Sequence, residues 1–138
     1  MASRRKKFFR VFKYLILICS ILLIVYITLW RSTGGIHEIR WNPVRQLIAA
    51  FKAGKLCRDD LLNILLFVPF GFSLNLFSVK RSRAVLFGFL LSLFVETVQL
   101  TLHIGWFETE DMLMNTLGTF CGYMLSDFLF RKMSKTKH

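Results

Sequence analysis

The chain has 138 residues, of which 54% are hydrophobic, and its 19 Lys and Arg against 8 Asp and Glu give a formal net charge of +11. The hydrophobic residues form long runs without charged faces, which argues against a soluble helical bundle. The three cysteines have no paired spacing typical of a disulfide framework or a metal site. We therefore expect an all-α integral membrane protein of one domain, with no cofactor and no metal ion.

Four apolar runs predict four spanning helices, at residues 14–30, 61–77, 84–102 and 112–130. Each run is close to the about 17–25 residues that a spanning helix needs. The first run resembles a signal peptide in its basic start, but Trp30 and Arg31 stand where small cleavage-site residues would be expected. We therefore favour an uncleaved first span, and predict a four-helix bundle in a single membrane domain, residues 14–130.

The distribution of basic residues predicts the orientation. Residues 1–13 and 131–138 form basic tails, and Lys80, Arg81 and Arg83 lie between the second and third runs. The positive-inside rule makes these three segments cytoplasmic. We expect a multi-pass plasma-membrane protein with both termini cytoplasmic, whose tails bind anionic lipid headgroups and not nucleic acid. The connector at residues 31–58 is discordant, because it falls outside yet carries six basic residues.

That first connector contains an amphipathic pattern after Asn42-Pro43. Its apolar residues recur at helical spacing, at Val44, Leu47, Ile48 and Phe51. The pattern predicts a short helix between spans one and two. Two placements remain open: a helix on the outer membrane surface, or a lid on the bundle. A lid would bring some of the basic residues towards the acidic loop that precedes the last run.

The third and fourth runs each carry a stripe of polar and small residues. The first stripe consists of Gly88, Ser92, Glu96, Gln99 and His103. The second consists of Asp111, Asn115, Gly118, Gly122 and Ser126. Each stripe falls within an arc of roughly 80° on its helix. Because only a short loop joins the two helices, we expect the stripes to face each other, with Glu96 towards Asn115 and Gly118.

Ionisable groups in lipid-length segments are costly and usually face protein or a water-filled cavity. We therefore predict a polar site near the outer surface. Its binding residues are Arg45, Asn63, Glu96, Gln99, Asp111 and Asn115. Its candidates for proton transfer are Glu96, His103 and Asp111. The alternative is that these polar groups only join helices through hydrogen bonds.

Three blocks of this sequence resemble the VanZ-like family of small bacterial membrane proteins, which is named for teicoplanin resistance. They are Asn63 to Phe72, Glu96 to Gln99, and Phe107 to Tyr123. An earlier motif with an Asn, a Pro and a nearby Arg is matched loosely by Asn42, Pro43 and Arg45. Many relatives carry an Arg shortly before the acidic loop, where this chain has Ile104-Gly105-Trp106. If that Arg pairs with the acidic groups, another basic residue must replace it here.

The resemblance implies a cell-envelope protein with a role in glycopeptide tolerance. The favoured function is a binding or accessory protein for a membrane lipid, a lipid-linked cell-wall precursor or a lipoglycopeptide. One alternative is a membrane-embedded enzyme that acts on a lipid-linked substrate, with Glu96 as general acid or base. The other is a transporter, which would require a homo-oligomer because four spans make a poor transporter. These alternatives differ in the ligand, in whether a reaction is catalysed and in the oligomeric state, and the sequence leaves all three open.

Overall fold

The computed structural model describes residues 2–30, 39–40, 48, 52, 59–104 and 107–135. Within these residues the chain forms four helices: α1 (Ala2–Trp30), α2 (Asp59–Leu76), α3 (Arg81–Thr101) and α4 (Thr109–Lys135). Two short strands, β1 (Ile39–Arg40) and β2 (Phe107–Glu108), pair in parallel. The described chain is thus helical apart from this one bridge, as expected for an all-α fold.

Two of the described helices are long and apolar enough to cross a membrane, over Arg4–Thr28 in α1 and Arg81–Thr101 in α3. The apolar part of α2, Asp60–Leu76, is shorter. Large apolar side chains are exposed along the outer faces of the helices, including Leu22 on α1, Phe94 on α3 and Phe128 on α4. Such outward apolar faces are unusual for a protein in water and suit contact with lipid.

The α2–α4 pair forms the most extensive helix contact. Gly118 and Gly122 of α4 lie directly against the backbone carbonyl groups of Ile64 and Val68 on α2. Gly71 of α2 lies against the backbone of Thr119 on α4, where an added Cβ would be 2.8 Å from the Thr119 Cα. Because small residues let helix backbones approach closely, these three glycines set the distance between α2 and α4.

The position of Gly118 corrects one expectation from the stripes. We predicted that the whole stripe of α4 would face α3, with Gly118 opposite Glu96. The structure divides this stripe between two neighbours: Asn115 contacts α3, whereas Gly118 and Gly122 pack on α2. An arc of about 80° is wide enough to touch two adjacent helices.

The buried apolar core lies between α1, α2 and α3. Its members are Ile24, Leu66, Phe67, Phe70, Leu74, Ala84 and Val95. Phe67 and Phe70 meet edge to face, with their ring centroids 6.4 Å apart. α1 makes most of its contacts with α2 and few with α3, so it lies at the periphery.

Two helices end in the same capping geometry. After α2, Ser78 has φ 57°, and the amide groups of Ser78 and Val79 donate to the carbonyl oxygens of Asn75 and Leu74. After α3, His103 has φ 58°, and His103 and Ile104 donate to Leu100 and Gln99 in the same pattern. These are Schellman motifs, which use a left-handed residue to satisfy the last carbonyl groups of a helix.

The predicted amphipathic helix of the first connector lies outside the described residues, except for Ile48 and Lys52, which are helical and exposed. The parallel pairing of β1 with β2 does join the first connector to the last loop, with Ile39 opposite Phe107 and Arg40 opposite Glu108.

Candidate functional site

A polar seam runs along the α3–α4 contact. Gly88 lies against the Thr119 side chain. One turn further along α3, Asn115 Nδ2 donates to Ser92 Oγ over 2.8 Å, and both residues are buried. Asn115 Oδ1 is also buried but has no hydrogen-bond partner among the described residues. α3 and α4 are antiparallel, and on each helix about every fourth residue faces the other. The next pair along the seam is therefore Glu96 and Asp111.

Glu96 is the most buried ionisable side chain of the described part of the chain, at 2% exposed. The backbone N–H of Glu108 donates to Glu96 Oε2 over 3.0 Å. The carboxyl groups of Asp111 and Glu108 are its electrostatic neighbours. A carboxyl group here is held by a backbone donor from the loop, with like-charged groups around it.

Five carboxyl groups gather at this end of the helices. We call them the acidic cluster: Asp60, Glu96, Glu108, Glu110 and Asp111. They come from the start of α2, the end of α3, β2 and the start of α4, so the fold brings together residues from distant parts of the sequence. The chain has eight Asp and Glu in all, and most of them therefore lie in this one region.

Glu110 shows how crowded the cluster is. Burial raises the pKa of Glu110, and the neighbouring carboxylates of Asp60 and Glu108 raise it further. Its Oε1 is buried with no hydrogen-bond partner in the described residues. A carboxylate in this position is disfavoured by both desolvation and repulsion, so Glu110 favours either a proton or a positively charged neighbour.

The pairing of β1 with β2 places the backbone of a basic residue beside the acidic cluster. Its register sets Arg40 beside Glu108, and Glu108 is the residue whose N–H holds Glu96. Arg40 is thus a basic residue whose backbone the strand pairing places beside the acidic loop.

The other predicted site residues are placed differently. Gln99 Nε2 donates to the Thr28 carbonyl oxygen over 3.2 Å, so its amide joins α3 to the end of α1. Asn63 is buried one turn after Asp60 on α2. His103 is exposed in the Schellman cap, and its Nδ1 lies 2.9 Å from the Thr101 carbonyl oxygen. Arg45 lies outside the described residues.

Sequence reasoning did not assign Asp60, Glu108 and Glu110 to the site. The signal for them was present in the predicted topology, since the start of the second span and the last connector were both placed on the outer side. Their convergence with Glu96 follows from that placement. Ser92 was identified as part of a stripe, but its role as the partner of Asn115 emerges only from the packing.

The described residues contain no group of three or more His, Cys, Asp or Glu side chains arranged to hold a metal ion. Basic residues gather at the opposite end of the four described helices. They include Lys13, Lys80, Arg81, Arg83, Arg131 and Lys132. The described helices are therefore electrically polarised along their axes, with most carboxyl groups at one end and most basic groups at the other.

These features define a small helical protein with two candidate membrane-spanning helices and a buried carboxyl group in an acidic cluster. The chain belongs to the VanZ/LLP1 family, whose profile matches residues 12–130. It is 27% identical over 117 residues to Protein VanZ of Enterococcus faecium, a match that covers 83% of this chain and 73% of that protein. No solved structure matches the chain significantly.

Proposed function

We propose that this chain is a four-helix integral protein of the plasma membrane that binds an amphiphilic envelope ligand with an amino group at its acidic cluster. The ligand class is a lipid-linked cell-wall precursor or a lipoglycopeptide, and the expected phenotype is glycopeptide tolerance of the teicoplanin type. The observation that carries the proposal is the burial of Glu96 within the polar seam, next to Asp111 and Glu108.

The charge of the cluster supports a cationic ligand. Five carboxyl groups share one end of the helices and raise the local negative charge there. An ammonium group would relieve the repulsion between Glu110, Asp60 and Glu108. The exposed apolar faces of α3 and α4 offer an acyl chain a path beside the cluster, so an amine-bearing lipid conjugate fits both features.

The orientation follows from the same polarity. The basic end carries both chain termini and the α2–α3 turn, which the positive-inside rule makes cytoplasmic. The acidic cluster then faces outwards, where cell-wall precursors and glycopeptides are found. All four helices span the membrane in this arrangement, with the shorter α2 held against α4 by the glycine contacts.

Labelling of single cysteines tests the orientation. In a background without Cys19, Cys57 and Cys121, Leu102→Cys should react with an impermeant maleimide in intact cells. Lys132→Cys should react only after permeabilisation. Leu22→Cys, on the lipid-facing side of α1, is the control that should stay unlabelled. Labelling of Lys132→Cys from outside would reverse the topology and contradict the proposal.

Binding is tested with native mass spectrometry of the purified protein and its co-purified lipids. We expect a reproducible bound species that Glu96→Gln and Asp111→Asn abolish, together with loss of lipoglycopeptide tolerance at normal membrane levels. Thr97→Val is the matched control, because Thr97 is the exposed neighbour of Glu96 on the same helix and its hydroxyl only contacts the Leu93 carbonyl oxygen. Full lipoglycopeptide tolerance in both carboxyl variants would show that the acidic cluster has only a structural role.

A binding role fits Glu96 better than acid–base catalysis. Glu96 is 2% exposed, and its Oε2 accepts the Glu108 N–H. A carboxyl group this deeply buried is poorly placed to exchange protons with a substrate. His103, the second proton carrier in the enzyme hypothesis, is exposed in a helix cap. We therefore assign Glu96 to the buried base of the binding site, as a carboxyl group that ligand binding requires, and the more accessible Asp111 and Glu110 to its outer part.

A further inference from the structure

An open cavity of about 310 Å³ lies at the basic end of the helices, which is the end opposite the acidic cluster. Its lining residues are Arg81 at the start of α3 and Tyr123, Met124, Asp127 and Arg131 on α4. We propose that this cavity binds the phosphate group of an anionic membrane lipid. The proposal does not depend on the function of the acidic cluster.

The two arginines of the cavity have N–H donors that are not engaged by the described protein groups. Arg131 contacts Asp127 through Nε alone, at 3.0 Å from each carboxylate oxygen, so its terminal Nη groups remain available. Arg81 has no ion-pair partner among the described residues. A guanidinium has five N–H donors in a fork that matches phosphate oxygens. Two arginines against one carboxylate leave the cavity with a net positive charge.

The start of α3 adds to this positive potential. Arg81 is the first residue of α3, the Lys80 N-cap makes no side-chain capping hydrogen bond, and the first turn contains no acidic residue. The first backbone N–H groups of a helix lack intrahelical partners and carry a partial positive charge. Here an external anion is the group that can satisfy them.

The opposite wall is fixed and partly apolar. Tyr123 Oη donates to the Val79 carbonyl oxygen over 2.9 Å, which ties α4 to the α2–α3 turn. The half-exposed Met124 stands beside it. A phosphate at the arginines would thus have an apolar surface next to it, as a lipid headgroup with its acyl chains requires. A free phosphate ion would use only the arginine side.

The test is native mass spectrometry of the full chain in a zwitterionic detergent, titrated with short-chain phosphatidylglycerol, phosphatidylcholine or glycerol phosphate. We expect one phosphatidylglycerol to bind in preference to phosphatidylcholine. Arg81→Ala should weaken this binding about tenfold, the loss expected when a charged hydrogen bond worth about 1.5 kcal/mol is removed. Arg81→Lys should also weaken it, because an ammonium group lacks the fork.

Two further variants make the test specific. Arg83→Ala removes an equal charge from the same turn without touching the cavity, and binding should stay within about twofold. Asp127→Asn should tighten binding, since it frees Arg131 from a competing carboxylate. Equal weakening by Arg83→Ala and Arg81→Ala would overturn the proposal in favour of diffuse surface attraction. Glycerol phosphate that binds as tightly as the lipid, with the same dependence on Arg81, would assign the cavity to a soluble phosphate.

Discussion

The backbone N–H of Glu108 donates to Glu96 Oε2 over 3.0 Å and so joins the last loop to the middle of the α3 polar stripe. The same short segment, β2, also pairs with β1, where Glu108 lies opposite Arg40 of the first connector. One buried carboxyl group thereby organises a loop, a strand pair and the start of α4. Substitutions of Glu96 that keep or remove the acceptor for this N–H should therefore separate its structural role from its functional one.

Glu96→Ala is expected to destabilise the protein, whereas Glu96→Gln is not. Alanine removes the acceptor of the Glu108 N–H in a partly buried position, where an unsatisfied donor costs up to about 1–3 kcal/mol. Glutamine keeps an acceptor for that N–H and removes a titratable carboxyl group beside Asp111 and Glu108. Thermal unfolding in detergent should show a lower midpoint for Glu96→Ala and an equal or higher midpoint for Glu96→Gln. Similar losses in both variants would mean that the fold requires the carboxyl group itself.

Gly122→Ala should destabilise the α2–α4 contact more than Gly88→Ala destabilises the α3–α4 contact. The added Cβ at Gly122 meets the Val68 backbone, which cannot move alone, and overpacking of this kind costs about 1–3 kcal/mol. At Gly88 the nearest atoms belong to the Thr119 side chain, which can change rotamer. Comparison of the two unfolding midpoints checks this order, and the reverse order would contradict the assigned packing.

Ser92 and Asn115 should be energetically coupled. Their hydrogen bond is buried in the polar seam at 2.8 Å. Side-chain hydrogen bonds between helices in membranes contribute about 0.6 kcal/mol on average and up to about 1.7 kcal/mol. A double-mutant cycle with Ser92→Ala and Asn115→Ala should give a coupling free energy in this range. Strictly additive effects would show that the two side chains do not interact in the folded protein.

Glu110→Gln should stabilise the protein at neutral and alkaline pH. Burial raises the pKa of Glu110 in the folded state, so the folded protein holds this proton more tightly than the unfolded chain. Its contribution to stability is then greatest at low pH and is lost as the pH rises through the raised pKa. The gain from Glu110→Gln should be clear near about pH 8 and small near about pH 4. A gain that is independent of pH would exclude titration of Glu110 as its cause.

His103→Gly should preserve both folding and antibiotic tolerance. His103 adopts φ 58° in the cap of α3, a conformation that costs a residue with a Cβ about 1–2 kcal/mol and costs glycine little. Thermal unfolding should therefore show an equal or higher midpoint, after allowance for the greater flexibility of glycine in the unfolded chain. Loss of tolerance in a stable His103→Gly protein would restore this histidine as a proton carrier.

Local patterns in the sequence were sufficient to predict the helical fold, the polar stripes and the family. Apolar runs report helix length, and three- to four-residue spacing reports which residues share a face. The burial of Glu96, Ser92 and Asn115 agrees with these patterns. The hydrogen bond between Ser92 and Asn115 follows the predicted meeting of the third and fourth helices.

The tertiary structure decided which neighbour each face contacts. A periodic pattern defines a direction around one helix axis, but it contains no information on which helix lies in that direction. Gly118 and Gly122 therefore belong to the α2 contact and not to the α3 contact, and Gln99 joins α1. The acidic cluster has the same origin, because Asp60 meets Glu110 only when α2 and α4 pack closely through their glycines.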